Sequence, residues 1–261
     1  MPIFDTKRER RDGNTFFRDN GRGQAFGSSL WEDYPALAIA NDPTIGTEYF
    51  NDFINYITTM DGLTTNATNS GTAASLAVTA GIVGQLQIES SDGTIVAEDE
   101  TYVGSTKTSW ILAPTSKLWF EARVKFTEAN TDDANIIVGL SSIYTANIVQ
   151  DAGGGPAADY DGIVFFKVFG GTVWQGETSV ATSQTTTASL ATRASGTWTR
   201  VGFKVDGTAS AGFYIDGVLI STHTAYLPTA AMGLIFGVKS GTNDKHEKLY
   251  VDWVRVGQLR A

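Results

Sequence analysis

Apolar residues along this chain recur mainly at every second position, the period of a β-strand with one face buried. In "SKLWFEARVKFTE" (116–128), Leu118, Phe120, Ala122, Val124 and Phe126 fall on one face, and Trp119, Glu121, Arg123 and Lys125 on the other. Near the C-terminus, "KLYVDWVRVGQLRA" (248–261) places Leu249, Val251, Trp253 and Arg255 on one side and Tyr250, Asp252, Val254 and Val256 on the other. In "GTWTRVGFKV", Val201, Phe203 and Val205 alternate with Gly202 and Lys204. The continuous apolar runs "NIIVGLSS" and "GIVFFKVFG" read as inner strands. In "FYIDGVLIS", two strand-like runs flank Asp216-Gly217, which predicts a type I′ hairpin turn with both central residues at positive φ. About a dozen strands are expected over roughly 180 residues, the spacing of a large antiparallel sandwich.

The first 81 residues follow another pattern. Residues 1–28 are polar and weakly periodic and read as an extended arm. Residues 29–60 gather Trp31, Tyr34, Tyr49, Phe50, Phe53 and Tyr56 around Pro35 and Pro43. Proline limits any helix there to a turn or two, as in "PALAIAN", and so many rings must dock on the body or on a neighbouring subunit. Residues 61–81, small and polar, read as a linker or weak edge strands. The expected organisation is an arm (1–28), an aromatic docking segment with linker (29–81) and a sandwich (82–261).

Charge adds an asymmetry. The chain carries a net −9, yet its first thirty residues hold six basic and four acidic side chains, a net +2 that leaves −11 on the remainder. No Lys or Arg occurs between Arg22 and Lys107. A basic arm on an acidic body points to a contact outside its own domain, through Lys7, Arg8, Arg10 and Arg11. The acidic body argues against extended nucleic-acid binding. The chain has no Cys, so disulfides, thiolate metal sites and a Cys nucleophile are excluded. Apolar runs are strand-length, which predicts no membrane span, and the polar N-terminus has no apolar stretch of a secretory signal, which predicts folding in a cytoplasm.

Four segments in order, "LWFEARVKF", "GIVFFKVFGGTVWQ", "GTWTRVGFKVDGTASAGFYIDGVLIS" and "LYVDWVRVGQ", resemble the concanavalin A-like lectin/glucanase superfamily over residues 82–257. The resemblance implies an all-β, two-sheet antiparallel jelly roll and says little of activity. The leader "FGSSLWEDYPALAIANDPTIGTEYFNDF" is similar to leaders of tailed-bacteriophage virion proteins in which an arm and an aromatic segment precede a lectin-like domain.

The glucanase members use two carboxylates in an E-x-D-x-(x)-E strand motif, which retention requires to be about 5–5.5 Å apart. "AEDETYVG" offers Glu98 and Glu100 but continues with Tyr102 and Val103, and "ADYDGIVFF" offers Asp159 and Asp161 but continues with Ile163, Val164 and Phe165. Neither completes the set, and Glu121 stands alone beside Arg123 and Lys125. His223 and His246 sit in turn-like segments, read as exposed, with no triad partners. No cofactor is expected, although the resemblance leaves a structural calcium open at Asp252, with Asp132, Asp133, Asn135, Asp159 and Asp161 as further hard oxygen donors. For a bound glycan, Tyr160 and Trp174 are the candidate stacking rings because turns flank them.

Taken with the resemblance, the expected function is a non-enzymatic virion structural protein, a capsid decoration (cement) protein made in the host cytoplasm and displayed on the capsid surface. Lys7, Arg8, Arg10 and Arg11, with Trp31, Tyr34, Phe50 and Phe53, would meet the major capsid protein or other virion proteins. A homo-oligomer, a trimer for instance, is expected, with no nucleic acid or membrane partner. A carbohydrate-binding or host-adhesion module and a divergent glycoside hydrolase remain the alternatives.

Overall fold

The computed structural model describes residues 6–11, 14–19, 29–54, 62–68, 76–78, 84–91, 96–129, 132–242 and 246–261. The arm contains a hairpin rather than only extended chain: β1 (Thr6–Arg11) pairs antiparallel with β2 (Asn14–Asp19), Lys7 opposite Arg18 and Arg8 opposite Phe17. Two larger antiparallel sheets follow.

The eight-stranded sheet contains β3 (Gly46–Asn51), β5 (Leu76–Val78), β6 (Leu86–Glu89), β8 (Lys117–Thr127), β13 (Thr199–Asp206), β14 (Ser210–Ile215), β15 (Val218–His223) and β17 (Lys248–Leu259). Its order is β15-β14-β13-β8-β17-β6-β5. The long β17 pairs with β6 through residues 248–251 and with β3 through residues 254–259. The seven-stranded sheet runs β12 (Ser183–Thr192), β11 (Val173–Val180), β10 (Gly162–Lys167), β9 (Asn135–Ser141), β16 (Gly233–Lys239), β7 (Glu100–Ser105) and β4 (Leu63–Thr68). Among the described residues, helix is confined to short pieces, the longest being α1 (Ala36–Asn41) with Pro35 as its N-cap residue. None of the described helices is long and apolar enough to cross a membrane.

The core lies between the sheets. Leu118, Phe120, Ala122, Val124 and Phe126 point into it with Val201, Phe203, Val205, Ile163 and Phe165. Phe120 stacks on Phe203 at 4.8 Å, and Phe165 of the opposite sheet meets Phe213 edge-on at 5.2 Å. Each such buried ring is worth about 1.5–3 kcal/mol relative to exposure. The β14–β15 turn has Asp216 at φ 51° and Gly217 at φ 84°, the two positive values a type I′ turn needs.

One expected pattern changes. Strict alternation through "LYVDWVRV" puts Trp253 with Leu249 and Val251, but the register against β8 shifts between Val251 and Trp253. Asp252 is the extra residue of this bulge, so Val254 and Val256 join Leu249 and Val251 in the core while Tyr250, Trp253 and Arg255 face outward. The segment 29–81 also contributes strands: β3, β4 and β5 pair into the two sheets.

Candidate functional site

The two sheets present very different outer faces. On the seven-stranded sheet, Tyr102, Ile137, Val164, Phe166 and Ile235 point away from the core and are buried all the same. The connection between β9 and β10, residues 142–161, supplies Ile148, Val149 and Tyr160 to cover them. Polar contacts fix this cover. Asn147 donates its backbone N–H to the Glu100 carboxylate at 2.9 Å, and Ala152 donates to Glu98 at 2.9 Å. Lys239, with no exposed side-chain surface, lies 3.3 Å from the equally buried Glu100. Its ammonium also donates to Asn147 Oδ1 at 2.7 Å, to the Val149 carbonyl at 3.2 Å and to Asp151.

The remaining acids of this face are engaged too. Glu177 accepts from the Tyr160 hydroxyl at 2.8 Å and from Thr186 at 2.5 Å. Burial raises the pKa of Glu177 despite these bonds, and burial with the Glu177 charge raises that of Tyr160. Burial also acts to raise Asp161, but backbone N–H groups of Ala230, Thr229 and Ala181 outweigh it and hold the carboxyl below its ordinary value.

At one end of the sandwich, Glu128 and Lys167 form a buried ion pair at 2.5 Å beside a cleft of about 350 Å³ lined by Asp132, Thr172 and Arg193. Asp133 and Asn135, both fully buried, lie near it in sequence, and Asn135 accepts the Phe169 N–H at 2.8 Å. Both oxygens of the buried Glu247 accept the Ala129 N–H at 3.2 Å. Burial pushes Glu247 up to about 7; the Ala129 bond opposes this, Asp133 and Glu128 add to it, and Lys167 opposes it. His223 is buried rather than exposed, with its ring nitrogens 3.1 Å from Thr178 and 2.8 Å from Thr187, and burial lowers its pKa.

The eight-stranded sheet is half covered, by residues 29–39. Leu30, Tyr34 and Ile39 bury against Trp119 and Tyr214, which point outward from β8 and β14. Two glycines make the seats. A Cβ at Gly202 would lie 2.6 Å from Leu30, and one at Gly257 would enter the Tyr34 ring. Polar clamps surround this apolar contact. Trp31 donates its indole N–H to Glu121 at 2.7 Å, and the Tyr34 hydroxyl donates to Glu48 at 2.8 Å. Asp33 accepts from Lys117 at 3.1 Å and Lys204 at 2.7 Å. Burial acts to raise Asp33, but the two lysines outweigh it and its pKa is lowered. Burial raises Glu121, while the Trp31 bond and Arg200 and Arg255 pull the other way. The Arg255 guanidinium lies over both Trp31 and Tyr34, at 4.4 and 4.8 Å.

Among the described residues, the other half of that face has no such cover. Trp198, Arg123, Lys125, Tyr250 and Trp253 are all partly exposed there. Arg123 lies over Trp198 at 4.6 Å, and Lys125 sits between Trp198 and Tyr250, at 4.7 and 4.4 Å from the ring centroids.

Several expectations are corrected by this geometry. Tyr160 is 3% and Trp174 1% exposed, so neither ring can stack on a glycan: Tyr160 is spent on Glu177, and Trp174 packs in the main core edge-on to Phe126. Asp252 is buried and bound to Arg123 at 2.5 Å, so a guanidinium stands where the calcium expectation needs the ion. Among the described residues no group of three or more His, Asp or Glu side chains is placed to hold a metal. Trp31, Tyr34 and Phe53 are spent on the chain's own body, Phe53 in the main core, whereas Phe50 is 56% exposed. Lys7, Arg8, Arg10 and Arg11 lie on β1, and their side chains fall outside the described residues. The rings at Trp198, Tyr250 and Trp253 were missed as a group because they come together only across β13, β8 and β17.

No family model and no curated protein matches the chain. Solved structures do. An endo-1,3-β-glucanase from Streptomyces sioyaensis has 15% identity, with 84% of this chain and 99% of that one covered at a TM-score of 0.56. A Bacillus licheniformis β-glucanase has 15% identity, covering 81% and 98% at 0.54. The Emp47p carbohydrate recognition domain has 12% identity, covering 82% and 97% at 0.53. At these identities the likeness is one of fold: the chain has the concanavalin A-like jelly-roll architecture that glucanases and carbohydrate recognition domains share.

Proposed function

We propose that this chain is a non-catalytic structural protein of a tailed-phage virion, a lectin-like body fixed to an acidic capsid surface by its N-terminal arm. The observation that carries the reading is the way residues 29–53 are built into the body. Gly202 and Gly257 are hollowed for Leu30 and Tyr34, Asp33 bridges two lysines, and β3 extends the sheet beyond β17. Ser29 donates both its N–H and its hydroxyl to the Gly217 carbonyl. Pull on residues 1–28 is therefore transmitted to a sheet, not to a loose tether. The charge asymmetry agrees, since β1 is basic and residues 31–261 carry a net −11. The similarity of the leader to phage virion leaders supplies the setting, and the assembly that goes with it is a homo-oligomer, a trimer for instance.

Deletion of residues 1–28 tests this. The truncated body should keep its thermal midpoint and lose attachment to particles that lack the protein. Full occupancy by the truncated protein would sink the reading.

A further inference from the structure

Beneath the cover of the seven-stranded sheet, a buried amine meets an amide that charge balance does not call for. Lys239, at the end of β16, has no exposed side-chain surface. Its Nζ faces the carboxylates of Glu100 at 3.3 Å, Glu98 at 3.9 Å and Asp151. Three carboxylates already outnumber one ammonium. A fourth side chain nevertheless reaches in: Asn147 accepts from Nζ through Oδ1 at 2.7 Å. Asn147 differs from the other three in kind. The carbon of a neutral amide is open to attack by an amine, whereas a carboxylate anion repels a nucleophile.

The geometry suits that attack. The amide carbon lies one carbonyl bond beyond Oδ1, so it is within about 4 Å of Nζ. A small rotation of the amide brings nitrogen to carbon at the approach of about 3–3.5 Å that reaction needs. Glu100 touches both partners. It lies beside Nζ, and its two oxygens accept the Asn147 backbone N–H at 2.9 and 3.1 Å. The Tyr102 hydroxyl donates to Glu100 Oε2 at 2.7 Å and fixes the carboxylate in place. Tyr102, Ile148 and Val149, none more than 1% exposed, belong to the apolar cluster around this cage and help keep water from competing with the amine. Asn147 itself sits at the exposed rim, which gives a leaving group its way out.

We propose that Lys239 and Asn147 join in an intramolecular isopeptide bond, with Glu100 carrying the protons and ammonia leaving. The Lys239 ammonium passes a proton to Glu100, and the freed lone pair attacks Cγ of Asn147. Glu100 returns that proton to the amide nitrogen, the Cγ–Nδ2 bond breaks, and Nζ gives up a second proton to Glu100 as the new amide forms. An ammonium and a primary amide become a secondary amide and an ammonium ion, with no oxidant or cofactor. The product ties the β9–β10 connection covalently to β16 and makes the seal permanent. The inference does not depend on attachment to a virion.

Intact-mass measurement of the folded, purified full chain under denaturing conditions tests it. The chain should be lighter by one ammonia than its sequence requires, and proteolysis should release one peptide containing Asn147 joined to one containing Lys239. N147A and K239R should each restore the unlinked mass. E100Q keeps an acceptor for the Asn147 N–H but cannot carry the proton, and should slow linkage about a hundredfold, so that its freshly purified chain is largely unlinked. Should K239R or E100Q fail to fold, N147A, altered at an exposed position, and the parent chain carry the comparison. The proposal is overturned if the parent has the unlinked mass. It is overturned equally if the loss of ammonia survives in K239R or N147A, since an Asn cyclising on its own backbone would then account for it.

Discussion

The outer face of the seven-stranded sheet and that of the eight-stranded sheet begin from the same requirement and end differently. Each sheet has one side on the core, and its other side must be wetted or covered. The seven-stranded sheet is sealed from within, by residues 142–161 pinned through Lys239, Glu100 and Glu177. Among the described residues, the eight-stranded sheet is covered where residues 29–39 lie on it, and beyond them its rings and cations are partly exposed. In a jelly roll, then, the scaffold does not decide which face is available for recognition; the insertions laid on each face do.

The sharpest way to break this contrast is to unseal the closed face. K239M leaves Glu100 buried without its cation, a loss of about 3–5 kcal/mol. Urea denaturation should show a correspondingly lower midpoint, and proteolysis should begin within residues 142–161. An unchanged midpoint would mean that apolar contacts alone hold the cover. The half-covered face should respond more gently. G257V drives a side chain into the Tyr34 ring and should cost about 1–3 kcal/mol. Tryptophan emission should shift red as Trp31 leaves Glu121, with the sandwich still folded.

Acid–base behaviour sharpens the comparison at the sandwich end, where strands of both sheets terminate near Glu247. Its carboxyl is raised from 4.5 to about 7, so the folded chain keeps a proton that the unfolded chain releases. Stability from this group is complete below about pH 4.5 and is lost as pH rises through about 7. E247Q keeps an acceptor for the Ala129 N–H without the charge. Between pH 5 and pH 8 its urea midpoint should fall less than that of the parent; parallel falls would remove Glu247 as the cause.

How far the two faces could be read in advance follows from strand periodicity. The unbroken runs "NIIVGLS" and "GIVFFK" announce strands buried on both sides, which β9 and β10 are. They do not say what does the covering, because the cover comes from a loop of low periodicity, "YTANIVQDAGGGPAADYDG", whose apolar residues are spaced by no regular element. The alternating "KLWFEARVKFT" announces one wet face, yet Trp119 and Glu121 on that face are buried, by a leader some ninety residues upstream. Gly202 and Gly257 were the available signal for that contact, two outward glycines on central strands. The bulge at Asp252 left no local mark, and it is what turns Trp253 outward beside Arg123. The grouping of Trp198, Tyr250 and Trp253 around Arg123 and Lys125 was illegible because it joins residues far apart along the chain.

The smallest expected change in stability separates what residues 29–53 do for the body from what they do for a partner. Within that segment Tyr34 and Phe53 are buried and Trp31 is half-buried, whereas Phe50 stands 56% exposed on β3 opposite Arg255. An exposed ring in a strand contributes little to folding, so F50S should move the unfolding free energy by no more than about 0.5 kcal/mol. If the segment serves only to lock the arm to the sheet, F50S should also attach to particles as the parent does. If the segment presents Phe50 to the capsid or to a second copy, attachment should weaken while the thermal midpoint stays put. The second outcome is the one expected here, because a large apolar side chain left exposed on a strand is a surface that a docking partner can bury.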